Sequence, residues 1–183
     1  FLLMDVPAEY GGGGGDFRHE TLLYEELNRR GVSGFGQGVH SIAAHYVLNY
    51  GTEEQKQRWL PRMARGELIG AIAMTEPGAG SDLKGIRTRA VRDGDHYVIN
   101  GSKIFITNAG PADVLITYAT TDKAKGAKGI SAFIVDADTP GVRKGKKEHK
   151  LGIHASDTRE IYYENARIPK DCLFGELNKG YTV

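Results

Sequence analysis

Cysteine is almost missing from this chain: Cys172 stands alone among 183 residues. No intrachain disulfide can form, and a reducing compartment is the expectation. Long apolar runs are missing too. The longest evident one, Leu68 to Met74, falls far short of the roughly 18 residues that cross a bilayer. Neither sign of charge is in excess. The 24 Lys and Arg against 23 Asp and Glu leave a net charge of +1, which excludes a strongly basic nucleic-acid arm and an acidic disordered tail. No basic leader is visible at Phe1, and neither Phe1 nor Val183 lies at the border of a recognisable element. A piece of a longer protein is therefore expected. Several chemical signatures are also absent: no G-x-G-x-x-G, no G-x-x-x-x-G-K-[ST], no C-x-x-C, no H-E-x-x-H and no G-x-S-x-G occurs. These absences speak against a Rossmann dinucleotide site, a P-loop, the common zinc sites and a serine-nucleophile elbow. No metal site is expected.

What the chain does have is glycine, 25 residues of it, about twice the ordinary frequency. The glycines follow no period, so they imply tight turns rather than a collagen helix. Hydrophobic residues make up 40%, with nine Tyr and six Phe, enough for a packed core.

The hydrophobic period divides the chain. Residues 1–69 read as helical and 70–183 as β. Between Asp16 and Arg30, Phe17, Leu22, Leu23 and Leu27 recur mostly on one helical side. Between Gly38 and Tyr50, Val39, Ile42, Ala43, Tyr46, Val47 and Tyr50 do the same, and Gly51 is the natural cap. Thr52 and Gln55 form a capping-box pattern opening a third helix, which Pro61 is expected to break or kink and Gly66 to end. From Ile69 onward, short β runs follow at 69–75, 88–92, 96–99, 103–107, 114–118, 130–135 and 160–163. Asp93-Gly94 and Asn100-Gly101 read as tight turns between successive strands. The expected class is α+β: an N-terminal helical segment, then an antiparallel β-barrel or sandwich.

Two stretches carry candidate chemistry. Ala73 to Asp82, AMTEPGAGSD, leaves a strand, turns at Pro77-Gly78 and brings small residues to a loop beside Ser81. Backbone N–H groups there can approach an anion such as a pyrophosphate, although an ordinary Pro-Gly hairpin has the same signature. In Asn100 to Asn108, NGSKIFITN, Phe105 and Thr107 alternate with Ile104 and Ile106 and so share a strand face. An aromatic ring beside a hydroxyl suits one side of a planar cofactor, as well as plain core packing. Glu76 invites a reading as a catalytic base, but beside a proline in a turn it is better suited to bonding nearby backbone, and Asp82 to capping the chain after the loop. Arg143, Lys144, Lys146, Lys147 and Lys150 read as a solvated loop, with contact to phosphates as the alternative.

Together, Thr75-Glu76-Pro77-Gly78-Ala79-Gly80-Ser81-Asp82 and the 100–108 stretch some twenty residues later resemble the flavin-binding core of the acyl-CoA dehydrogenase family. The resemblance continues at Asp157-Thr158, Ile161–Tyr163, Arg167-Ile168-Pro169, Leu173–Gly175 and Asn178-Lys179-Gly180. It runs back through Gly51–Met63 and Pro7–Gly12, and so covers nearly the whole chain. The blocks GAIAMTEPGAGSDLKGI and KGKKEHKLGI look most like the long-chain branch.

The resemblance implies an N-terminal helical domain (1–69, incomplete), a middle β domain (70–183) and a C-terminal helical domain absent from this sequence, with FAD held between the last two. It implies that Ile72, Ala73, Met74, Thr75, Glu76, Pro77, Gly78, Ala79, Gly80 and Ser81 line the flavin. Thr75 would bond the pyrimidine edge, and Ser81 would reach the pyrophosphate and lie near the acyl-CoA. Phe105, Ile106 and Thr107 would form the second wall, with Thr107 near flavin N5. Ala127 and Lys128 would touch the coenzyme A moiety. The family often has Trp where Phe105 stands and Arg where His154 stands.

The implied reaction is α,β-dehydrogenation of a fatty acyl-CoA thioester to the trans-2-enoyl-CoA, a step of fatty acid β-oxidation. Its base is a Glu expected beyond Val183, so these 183 residues alone are expected to be inactive. The implied partners are the acyl-CoA, an electron-transfer flavoprotein as acceptor and, at full length, three further copies in a homotetramer. The location would be the cytoplasm of a bacterium or the mitochondrial matrix of a eukaryote. The alternatives are an acyl-CoA oxidase or flavin monooxygenase on the same scaffold, or a truncated piece without catalysis.

Overall fold

A computed structural model describes residues 2–34 and 36–183. Three helices come first: α1 (Phe17–Arg29), α2 (Gln37–Tyr50) and α3 (Glu53–Ala64). The start of α3 is fixed locally, as the sequence predicts. Thr52 N–H donates to Gln55 Oε1 at 3.0 Å, and Gln55 N–H donates back to Thr52 Oγ1 at 3.2 Å. A similar box opens α1, where Arg18 N–H donates to the Asp16 carboxylate and Asp16 N–H to His19 Nδ1. Of the two outcomes expected at Pro61, a break is not seen: α3 runs through it to Ala64. Leu60 and Met63, fully buried on either side, hold the segment against the core. Gly66, at φ +72°, marks the end.

The apolar side of α1 is a second departure. Phe17 is 71% exposed and Leu22 is also exposed, while Glu20 is the buried residue of that helix.

Eight strands follow: β1 (Gly70–Ala73), β2 (Arg89–Asp93), β3 (His96–Thr107), β4 (Val114–Thr120), β5 (Ile130–Asp136), β6 (Val142–Lys147), β7 (Thr158–Pro169) and β8 (Leu173–Phe174). They form one sheet in the order β6-β7-β3-β2-β4-β5-β8, with β1 also on β4. Most pairings are antiparallel, as expected, but β1 and β2 both lie parallel to β4. Gly70 faces Val114 and Arg89 faces Thr120, so β1 borders the start of β4 and β2 its end. The chain between them, residues 74–88, is a loop that leaves the sheet and returns to the same strand.

Asp93-Gly94 makes the predicted hairpin, with Asp93 opposite His96. Asn100-Gly101 does not turn. It lies inside β3, which continues to Thr107 past a register shift against β7. Across that shift Asn100 Oδ1 accepts from Asn165 N–H at 2.8 Å. A Cβ on Gly101 would come within 2.5 Å of Thr88 Oγ1, so glycine is required here by close approach rather than by a turn. The basic stretch at 142–147 is likewise a strand and not a loop. Lys144 Nζ there donates to the carbonyls of Gly110 and Ala112 at 2.9 and 2.6 Å.

Two apolar cores result. One lies between helices and sheet: Val47, Trp59, Leu60 and Met63 meet Ile116, Tyr118, Ile134 and Phe174. The other lies on the opposite face of β4 and β5, with Tyr97, Ile99, Ile106, Leu115, Phe133, Ile161 and Tyr163. Alternate residues of β4 serve the two cores, as a period of two requires.

Candidate functional site

The loop leaving β1 and the far end of β3 meet at the edge of the second core. Pro77-Gly78 forms a two-residue turn closed by Glu76 N–H to Ala79 O at 2.9 Å and Ala79 N–H to Glu76 O at 3.1 Å. Ile104 N–H then donates to Thr75 O at 2.9 Å, which ties the loop to β3. Two segments predicted as halves of one site are thus neighbours.

The shape of each half is informative. A Cβ built on Gly78 or Gly80 meets nothing within 4 Å. Neither glycine adopts the left-handed region, so neither packing nor conformation within this chain calls for glycine there. Small residues facing open space leave room for a ligand to approach the backbone. On the other half, β3 carries one residue more than β7 between Lys103–Ile161 and Ile106–Arg159, a β-bulge. Phe105 sits in that bulge at φ +56°, strained for a non-glycine residue, and 63% exposed. The bulge turns an aromatic ring outward at the end of a strand whose interior side is core. Thr107, beyond it, pairs with Thr158. Asn108 Nδ2 donates to Gly36 O at 2.9 Å, joining this end of β3 to the start of α2.

Not every predicted residue points outward. The side chains of Ala73, Glu76, Ala79 and Ile106 are buried in the protein. Ala73 and Ile106 belong to the sheet's interior core, because the strand alternation places them there. Ile72, Met74, Thr75 and Thr107 are partly exposed, and Pro77, Gly78, Gly80 and Ser81 exposed. Ala127 and Lys128 lie in the turn Lys123–Gly129, which packs against the turn Leu83–Gly85 just after Ser81. Beside them is a cleft of about 520 Å³ lined by Ile86, Arg87, Arg89, Thr120 and Lys123. His154 is exposed, with Nε2 at 2.6 Å from Lys150 O.

Glu76 serves the backbone, as its place in the turn suggests. Its Oε2 accepts from Arg87 N–H at 2.7 Å and its Oε1 from Thr88 N–H at 3.0 Å. Asp82 caps the next turn, accepting from Lys84 N–H. What the sequence reading missed is Lys103, which donates to Glu76 Oε1 at 2.8 Å and to Met74 O at 3.1 Å. Burial would raise Glu76, but Lys103, the Thr88 side chain and the Arg87 N–H outweigh it and hold the carboxyl below its usual range. Burial pushes the Lys103 ammonium down to about 8, against the pull of Glu76. The available signal was a charged residue at an inward position of a core strand. Among the described residues, no group of three or more His, Cys, Asp and Glu could hold a metal ion, and no helix is long and apolar enough to cross a membrane.

Comparison with known proteins bears on this geometry. The family model described as "Acyl-CoA dehydrogenase, middle domain" matches residues 71–166, and "Acyl-CoA dehydrogenase, N-terminal domain" matches residues 1–67. A long-chain specific acyl-CoA dehydrogenase of Sus scrofa mitochondria is 45% identical over 98% of this chain and 43% of its own length. A short-chain specific acyl-CoA dehydrogenase of Clostridium acetobutylicum is 47% identical over 99% of this chain and 49% of its own. Among solved structures, an acyl-CoA dehydrogenase of Geobacillus kaustophilus superposes with a TM-score of 0.93 at 48% identity. It covers 97% of this chain and 47% of that one. An acyl-CoA dehydrogenase of Bacillus anthracis complexed with FAD gives 0.91 at 43% identity, over 99% of this chain and 31% of that one. The chain thus spans less than half the length of each of these relatives.

Proposed function

Since this chain belongs to the acyl-CoA dehydrogenase family, we propose that it forms the flavin-facing part of an enzyme that oxidises fatty acyl-CoA thioesters to trans-2-enoyl-CoA. The supporting observation is the open shelf itself: glycines at 78 and 80 that nothing in the chain fills, set beside a bulge that turns Phe105 outward. FAD fits this shelf, and when bound it would supply the two-electron acceptor for the substrate's β-hydrogen.

The chain's own residues then have distinct tasks. Thr75 would hydrogen-bond the pyrimidine edge of the ring, and Ser81 with the neighbouring backbone N–H groups would hold the pyrophosphate. Phe105 covers one face. Thr107 would offer its hydroxyl as a hydrogen-bond partner to the ring, and Ile72 and Met74 would supply an apolar flank that excludes water. Lys128 and the Arg87–Arg89–Lys123 cleft supply positive charge suited to coenzyme A phosphates. The α-proton would leave to a carboxylate of the full-length enzyme.

In this reading the chain divides at 69/70, the first unit helical and the second β. The acceptor is an electron-transfer flavoprotein, the assembly a homotetramer and the location the bacterial cytoplasm or the mitochondrial matrix. Substrates are straight medium- to long-chain thioesters; this choice rests on the GAIAMTEPGAGSDLKGI and KGKKEHKLGI blocks, since long-chain and short-chain relatives stand at nearly equal identity.

The test is anaerobic reduction of the flavin in the full-length protein by a saturated acyl-CoA. Bleaching, followed by rapid re-oxidation by electron-transfer flavoprotein and slow re-oxidation by oxygen, supports the proposal. Rapid aerobic re-oxidation with peroxide formation would move the assignment to an oxidase. That second reading has a foothold in a similar structure, a prolyl acyl carrier protein oxidase at 34% identity and a TM-score of 0.85.

A further inference from the structure

Lys103 has no solvent exposure and Glu76 is 6% exposed. Both ions of this pair have lost their hydration. Exchanging such a pair for apolar residues of similar volume is often neutral or stabilising. Stability alone therefore does not account for an ion pair whose cross-strand neighbour is the core residue Ile161. Its position does. Lys103 is the last regularly paired residue before the bulge that exposes Phe105. Its ammonium grips the first turn of the opposite loop twice, at Glu76 Oε1 and Met74 O. Glu76 in turn holds the returning end of that loop through Arg87 and Thr88. One buried charge pair thus ties the loop's exit, its return and β3 together, one residue from the Ile104–Thr75 hydrogen bond.

We infer that Lys103, anchored by Glu76, is a positioning residue that sets the register between the 74–81 loop and the 104–107 bulge, and with it the separation of the two walls of the flavin site. The inference rests on the flavin reading above. The clamp would hold β3 against a change of register at the bulge. A slip of one residue exchanges strand faces and carries Phe105 inward, closing the shelf.

The test uses the full-length protein with the double substitution Glu76→Gln and Lys103→Met, which removes both charges and strands neither. The expected result is cooperative thermal unfolding near the wild-type temperature, FAD binding weaker by about tenfold or more, and a shifted flavin spectrum and midpoint potential. Lys103→Met alone leaves Glu76 accepting from the Arg87 and Thr88 N–H groups; it should change FAD affinity and spectrum in the same direction, and it decides the matter if the double variant does not fold. A folded variant with wild-type FAD affinity, spectrum and potential overturns the inference. So does an affinity loss that only tracks loss of cooperative unfolding. Wild-type protein that takes up no FAD removes the flavin reading and this inference together, whereas wild-type binding with indifferent variants removes the inference alone.

Discussion

The helical and β parts of this chain bury their apolar residues to very different degrees. Strands β4 and β5 are covered on both faces, and nearly every residue from Val114 to Ala119 and from Ile130 to Val135 is buried. Helix α1 leaves Phe17 and Leu22 in solvent, and with α2 it walls a groove of about 480 Å³ lined by Phe17, Tyr24, Ile42, Tyr46 and Tyr50, among others. At its floor Glu20 Oε2 has no hydrogen-bond partner among the described residues. The contrast teaches that the strands of the β part bury their apolar residues on both faces, while a good helical pattern in α1 does not guarantee a buried face. Packing rather than propensity supplies most of a helix's stability.

The largest effect that could break this contrast lies in the β core. Phe133→Ala should cost about 3–5 kcal/mol in chemical denaturation, since Phe133 is fully buried against Tyr97 with ring centroids 5.0 Å apart. Phe17→Ala should stay within about 0.5 kcal/mol of wild type in the same chain. Comparable losses for the two would mean that α1 is packed after all.

The joint between the parts should respond to acid. His40 Nδ1 accepts from Gly70 N–H at 3.1 Å, and Nε2 lies 3.1 Å from Met63 O, so the ring is neutral with its proton on Nε2. Burial depresses its pKa, outweighing the Met63 carbonyl. The unfolded chain therefore takes up the proton first. Stability should fall as pH drops below about 6.5, by up to about 1.4 kcal/mol per pH unit, and level off below the folded pKa. Denaturation midpoints across pH 7 to 5 should show this slope, and His40→Gln should flatten it. A slope unchanged by the substitution would locate the acid response elsewhere.

Next in size is Thr107→Val in the full-length protein, which should weaken flavin binding by about 1 kcal/mol in a titration; unchanged affinity and potential would remove that hydroxyl from the site. The smallest effect sits on the seam between α3 and β8. There Cys172 shares a cleft with Gln55 and Trp59, and Gln55 Nε2 donates to Asp171 O and Leu173 O at 2.7 and 3.0 Å. Burial first, then Asp171 and Asp136, push its thiol up to about 11. Alkylation at neutral pH should be much slower than for an ordinary cysteine and should climb with pH. Fast neutral labelling would mean that the seam opens.

Much of this architecture was legible because it is local. The Thr52–Gln55 box, the Asp93-Gly94 hairpin and the Pro77-Gly78 turn are each specified within a few residues. What was not legible depends on distant partners. Asn100-Gly101 has the chemistry of a turn, and only Asn165 and Thr88 make it an irregularity within one long strand. Residues 142–147 carry the charges of a loop, yet β7 pairs with them and Gly110 and Ala112 accept from Lys144. At the site, the two segments were readable, but the inward turn of Glu76 and Ile106 and the burial of Lys103 follow from the sheet's alternation and from a carboxylate 27 positions away. At Pro61 a break was one of two local outcomes, and the helix instead continues, with Leu60 and Met63 buried on either side.

The central claim is that one flat, phosphate-tethered cofactor spans the 74–81 loop and the 105–107 bulge. Amide hydrogen exchange of the full-length protein with and without FAD tests it most directly. The expected result is slowed exchange on FAD binding in both segments together. Protection confined to other parts of the chain, or seen in one segment and not its neighbour, would contradict it.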